Sequence, residues 1–127
     1  MSDKILIVDD DIDSLKLIGL MLQRHGYEVV AANAGNQALA KATSEHPNLI
    51  ILDVMMPDMD GWEVYQQMKA DDSMRNIPVI VVTAKAQNID KVLGLHIAKV
   101  DDYIAKPFGP QELMDSVEKI LGKKSSS

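Results

Sequence analysis

Asp9-Asp10, Asp53, Thr83 and Lys106 stand at the ends of short, mainly apolar runs: Lys4-Ile5-Leu6-Ile7-Val8, Leu49-Ile50-Ile51-Leu52, Pro78-Val79-Ile80-Val81-Val82 and Asp102-Tyr103-Ile104-Ala105. Brought to one place, they make three carboxylates, a hydroxyl and an ammonium. Two carboxylates about 4 Å apart repel by roughly 4 kcal/mol at an effective dielectric near 20. A cluster of three therefore calls for a cation. Carboxylates with water suit Mg²⁺, which favours sites completed by a phosphate oxygen. Aspartate is also a nucleophile for phosphoryl groups, and a metal ion with a lysine neutralises the oxygens in transfer. Asp53 with Asp9, Asp10, Thr83 and Lys106 thus has the parts to accept a phosphoryl group. Taken singly, each residue has a plainer use. An Asp after a strand caps the next helix, Thr and Lys at strand ends are usually solvated, Tyr103 suits a half-buried position, and Met55, Met56 and Met59 suit loop packing. The joint occurrence at four strand ends carries the chemical reading.

The elements around these residues predict how they meet. Runs of four to eight apolar residues between turn signals read as strands buried on both faces. Between the first run and a second strand over residues 27–31, Ile12, Leu15, Ile18, Met21, Leu22 and His25 recur at helical spacing. Asp11 or Asp13 caps that helix, and Gly26 ends it. Asn33 is expected to cap a second helix, with Ala38, Leu39 and Ala42 facing inward and Pro47 beyond its end. A third helix starts at Asp60 or Gly61 and carries Val64, Tyr65 and Met68. A fourth, capped by Asn88, presents Ile89, Val92, Leu93, His96 and Ile97. Gly109-Pro110 opens the last helix, with proline in its first turn, and Leu113, Val117, Ile120 and Leu121 form its stripe up to Gly122. Five alternations of strand and helix with short connections predict an α/β fold: a doubly wound parallel sheet with helices on both faces. In such sheets ligands sit beyond the carboxyl ends of the strands. The second strand ends in Ala31-Ala32, with no ionisable group, as expected of a strand at the border.

A chain of 127 residues is one domain. The expected limits are 1–122, with 123–127 a solvated tail or linker remnant. Cysteine is absent, which excludes disulfides, thiolate zinc sites and cysteine nucleophiles. His25, His46 and His96 have no metal-binding spacing. A net charge of −6 with Arg24 and Arg75 as the only arginines argues against direct contact with nucleic acid. No apolar run approaches the ~18 residues of a membrane span. Met-Ser-Asp-Lys leads straight into a strand, so no signal peptide and a cytoplasmic location are expected.

Ile7-Val8-Asp9-Asp10, Leu52-Asp53-Val54-Met55-Met56-Pro57, Asp60-Gly61, Val82-Thr83-Ala84 and Asp102-Tyr103 leading to Lys106-Pro107-Phe108 are a familiar set. The chain resembles the receiver domain of two-component response regulators over residues 4–122. The resemblance implies a five-stranded flavodoxin-like sheet in the order 2-1-3-4-5; that order is carried over from the family, whose chemotaxis member exemplifies it. It implies that Asp53 is the phosphoacceptor. Asp10, Asp53 and the backbone carbonyl of Met55 would hold Mg²⁺, with Asp9 helping through water. Thr83, Ala84 and Lys106 would engage the phosphate, and Tyr103 would turn inward when Thr83 moves toward it. The Lys106-Pro107 bond is expected to be cis. The implied phosphoryl source is a sensor histidine kinase or a phosphotransfer protein. The output would be an effector met by the face of the fourth helix, fifth strand and fifth helix, or a phosphorylation-dependent homodimer, with no membrane involved. Such a protein is no enzyme beyond its own phosphorylation and slow dephosphorylation.

Two features depart from or vary within the family pattern. Ala98-Lys99-Val100 replaces a usual Ala-Gly-Ala, removing an easy left-handed stop for the fourth helix. Lys85 stands two residues after Thr83, where the family varies. Met55, two residues after Asp53, is expected to shield the acyl phosphate from water and lengthen its life. The alternative reading is a receiver-like interaction module that works without phosphorylation. A phosphatase would need a carboxylate where Met55 stands.

Overall fold

The computed structural model describes residues 3–53, 61–83, 101–106 and 108–122. Five strands, β1 (Lys4–Val8), β2 (Glu28–Ala32), β3 (Leu49–Asp53), β4 (Val79–Thr83) and β5 (Asp102–Ala105), form one sheet in the order β2-β1-β3-β4-β5. Every pairing is parallel. The described helices are α1 (Ile12–Arg24), α2 (Gly35–Glu45), α3 (Gly61–Ala70) and a C-terminal helix (Pro110–Val117) that continues as a π-helical turn (Glu118–Gly122).

Alternation along each strand divides the core in two. Leu6, Val8, Ile50, Leu52, Val79 and Val81 pack with Ala38 and Ala42 of α2 and Val64, Tyr65 and Met68 of α3. Ile5, Ile7, Leu49, Ile51, Ile80, Val82 and Ile104 pack with Leu15, Ile18 and Leu22 of α1 and Leu113, Met114 and Val117 of the C-terminal helix. Both faces of the sheet are covered, which explains why the strands read as unbroken apolar runs. The doubly wound fold and its strand order are as expected.

Local boundaries follow the hydrogen bonds. Asp11 is the N-cap of α1, its side chain accepting from the Asp13 N–H. Gly26, at φ 88°, follows His25 at the end of that helix, in the left-handed region that glycine enters without strain. The Tyr27 N–H is committed to Leu22 O in the same turn, so β2 begins at Glu28 and runs to Ala32. Asn33 is not the cap of α2. That position belongs to Ala34, and Gln37 Oε1 reaches back to accept the Asn33 N–H at 3.2 Å. Pro110 lies in the first turn of the C-terminal helix with Gly109 as its cap. The expectations for Met55 and its neighbours, Asp60, Ala84, Lys85, the fourth helix with Lys99, the bond to Pro107 and the tail fall outside the described residues.

Candidate functional site at the carboxyl edge of the sheet

Parallel pairing aligns Val8 with Leu52, Asp53 with Val82 and Thr83 with Ala105, so the residues ending β1, β3, β4 and β5 share one edge. Asp9 follows β1 and is held to the border strand by its N–H, which donates to Ala32 O at 3.1 Å. Its Oδ1 accepts the Asp11 N–H at 2.9 Å. The turn that starts α1 therefore also orients the first acid of the site.

Asp9 and Asp53 are 1% and 6% exposed, which is rare for carboxylates without partners. Asp10 is the accessible member, and an oxygen from each of the three lies within 4.8 Å of the others. Lys106, one residue past β5, donates to Asp9 Oδ2 at 2.8 Å and to Asp53 Oδ2 at 3.3 Å. Burial opposes its charge. The hydrogen bond to Asp9 and the field of Asp53 outweigh that and hold the ammonium above its ordinary pKa of 10.5. Among the described residues one cation stands with three carboxylates, which leaves a negative excess, and the carboxylate donor atoms are hard oxygens. The residues present fit a divalent cation of the Mg²⁺ type.

Of the residues singled out in the sequence, Asp9, Asp10, Asp53 and Lys106 come together. Thr83 ends β4 beside Ala105, next to the lysine's strand end. Tyr103 lies on β5 opposite Val81 and is 44% exposed. Sequence reasoning missed the surroundings of that tyrosine. Ser116 Oγ, on a serine only 5% exposed, donates to Asp102 Oδ2 at 2.5 Å. Lys119 Nζ, from the π-helical turn, reaches the same oxygen at 3.0 Å. Burial raises the pKa of Asp102, but the bonds from Ser116, Lys119 and the Tyr103 N–H lower it further, to a net value below the ordinary 3.8. A lone serine beside Leu113 and Val117 in an apolar stripe was the available signal. Asp101 was missed too: its Oδ2 accepts the Val79 N–H at 2.8 Å and fixes the start of β4.

An acidic pocket bridged by a strand-end lysine on a 2-1-3-4-5 parallel sheet defines a class. Residues 5–118 match the response regulator receiver domain, and the chain belongs to that family of two-component phosphoacceptor switches. It is 46% identical over 121 residues to the alkaline phosphatase synthesis transcriptional regulatory protein PhoP of Bacillus subtilis, covering 95% of this chain and 49% of that protein. It is 42% identical over 118 residues to a probable transcriptional regulator, ycf27, of Cyanophora paradoxa, covering 93% and 48%. The chain thus spans about half the length of these curated relatives. A CheY-like response regulator receiver domain protein from Methanospirillum hungatei superposes with a TM-score of 0.83 at 33% identity, covering 100% of this chain and 100% of that one. The receiver domain of the Pseudomonas aeruginosa sensor histidine kinase PA1611 gives 0.85 at 31% identity, covering 96% of this chain and 99% of that one, and in that protein a magnesium ion is coordinated in the active-site cleft. Among the described residues no helix is long and apolar enough to cross a membrane.

Proposed function

We propose that the domain, residues 1–122, takes a phosphoryl group from a cytoplasmic histidine kinase or phosphotransfer protein onto Asp53. The observation that carries this reading is the lysine bridge: Lys106 joins two buried carboxylates, Asp9 and Asp53, with a third, Asp10, accessible beside them. Asp10, Asp53 and the Met55 carbonyl would hold Mg²⁺, with Asp9 acting through water. Bound there, the ion would neutralise phosphoryl oxygens during transfer. A carboxylate oxygen of Asp53 attacks phosphorus as the donor's N–P bond breaks, and the freed imidazole nitrogen keeps the electron pair. The Lys106 ammonium then turns from Asp9 to the new phosphoryl oxygens, and the Thr83 hydroxyl and Ala84 N–H donate to them.

The phosphoryl group brings roughly −1.5 to −2 charges and three acceptor oxygens. It draws on the ends of β4 and β5, so its effect reaches Tyr103, which is exposed in this state. Inward Tyr103 and a remodelled face of the helix after β4, β5 and the C-terminal helix define the second state, read by an effector or a second copy. Moving such a pair from 1:99 to 99:1 takes about 5.5 kcal/mol of differential stabilisation. Charge-assisted contacts of about 1.5–3 kcal/mol each are of the right size to supply it.

Incubation with acetyl phosphate and Mg²⁺ followed by intact mass measurement tests the reading. The wild-type chain gains the mass of one phosphoryl group, and Asp53→Asn gains none. An adduct that survives in Asp53→Asn, or no adduct on wild type, overturns it.

A further inference from the structure

β2 borders the sheet, so one side of its backbone faces no strand. The Glu28 N–H donates to Asp3 O at 2.9 Å, and Ala32 O accepts the Asp9 N–H at 3.1 Å. In a parallel ladder these two residues, and Val30 between them, therefore turn their backbone groups toward β1. Val29 and Ala31 turn theirs outward. Lys41 Nζ, from α2, folds over the edge and donates to Ala31 O at 2.5 Å. Among the described residues nothing reaches the outward N–H groups of Val29 and Ala31. On the other face of the sheet α1 overhangs the same edge. Ile12, Lys16 and Leu20 form with Val29 and Ala31 a groove of about 620 Å³. Ile12 and Leu20 are half exposed, at 49% and 48%.

We infer that this edge takes an extended segment of a partner protein, alternating apolar side chains with carboxylates, as a sixth strand of the sheet. Its main chain pairs with Val29 and Ala31, and its apolar side chains fill the groove beside Ile12 and Leu20. An open edge is a template for such pairing, and a lysine laid across it is a common guard. Charge decides the occupant. The chain carries a net −6, yet Lys16 lines the groove, Lys41 crosses the strand, and neither is in a salt bridge among the described residues. Glu28, the carboxylate of β2, is already matched by Lys4 at 3.8 Å. A second copy meeting this edge about a two-fold axis would set lysine against lysine. A carboxylate-bearing segment relieves both cations. Lys41 leaves Ala31 O for a carboxylate, and that carbonyl is freed for a main-chain N–H. The edge lies outside the phosphoacceptor pocket, and filling it needs no phosphoryl group.

The experiment titrates the unphosphorylated chain into a short fluorescein-labelled peptide that alternates valine with glutamate, read by fluorescence polarisation, and follows amide exchange by NMR. Saturable binding that slows exchange at Val29 and Ala31 is expected. A peptide with lysine in place of glutamate binds about tenfold more weakly, since several exposed ion pairs reverse sign. Ala31→Pro deletes an outward N–H while sparing the bonds to β1, and it also weakens binding about tenfold. Should that variant fail to fold, Lys41→Glu decides: it loses the glutamate peptide and gains the lysine peptide. Absence of saturable binding up to millimolar peptide overturns the inference. So does binding that leaves the Val29 and Ala31 amides exchanging as before, which would mean a groove ligand without strand pairing. Self-association that protects the same two amides without peptide would make a second copy the occupant and overturn it equally.

Discussion

At the scale of single residues, the pattern is a buried polar group that has found its partner across the chain. Lys106 and Asp9 are 97 positions apart and meet because their strands are separated only by β3 and β4. Ser116 and Asp102 make a second such pair, tying β5 to the C-terminal helix beside Tyr103. A hydrogen bond to a charged, partly buried acceptor is worth about 1.5–3 kcal/mol, so Ser116→Ala is expected to lose that much at neutral pH in a urea titration. The sign of its pH dependence follows from Asp102, whose folded pKa lies below the ordinary 3.8. Stability from a depressed carboxyl is present above the unfolded value and lost as pH falls through the folded one. Removing the serine hydroxyl lets that pKa rise. The gap between mutant and wild type is then widest near neutrality and narrows below about pH 4, within the ordinary carboxylate range. A gap independent of pH between 3 and 7 would show that Asp102 does not feel the hydroxyl.

At the scale of elements, the ends of the helices decide where the functional groups stand. Asp11 caps α1 through Asp13 and Ser14, and its own N–H orients Asp9, so one turn serves both stability and site. At the far side of the molecule α2 ends on His46, an exposed residue at φ 50°. For a residue with a Cβ the left-handed conformation costs roughly 1–2 kcal/mol, partly offset if glycine is substituted because the unfolded chain gains freedom. His46→Gly is therefore expected to stabilise the domain by about 0.5–1 kcal/mol, read as a higher urea midpoint with unchanged slope. A lower midpoint would mean that the imidazole makes a contact worth more than the backbone strain.

At the scale of the whole molecule, two apolar layers hold a sheet whose carboxyl edge gathers repelling charges. The chain carries a net charge of −6, and the pocket concentrates part of it in a small volume. A ligand that binds only the folded state stabilises it by RT ln(1 + [L]/Kd), about 2.7 kcal/mol at a hundredfold excess over Kd. Saturating Mg²⁺ is thus expected to raise the Tm of wild type. A chelator should reverse the rise, and Asp10→Asn should show little of it. An equal rise in wild type and Asp10→Asn would place the effect on general screening of the negative surface.

Much of this was legible from sequence because it depends on local patterns. Apolar runs ending in Asp, Thr or Lys, separated by helical periodicities, are sufficient to specify a parallel sheet. That sheet in turn forces the strand ends onto one edge. Asp9, Asp10, Asp53 and Lys106 could be named before any coordinates. Tertiary structure alone decided the pairings within that set: Lys106 lies closer to Asp9 than to Asp53, Asp10 is the acid left accessible, and Tyr103 stands exposed. It also moved the cap of α2 from Asn33 to Ala34 and gave Ser116 a carboxylate to hold. Periodicity acts over a few residues and reports which face is buried. The choice among partners tens of residues away is made by distances of a fraction of an ångström, which only the packed layers fix.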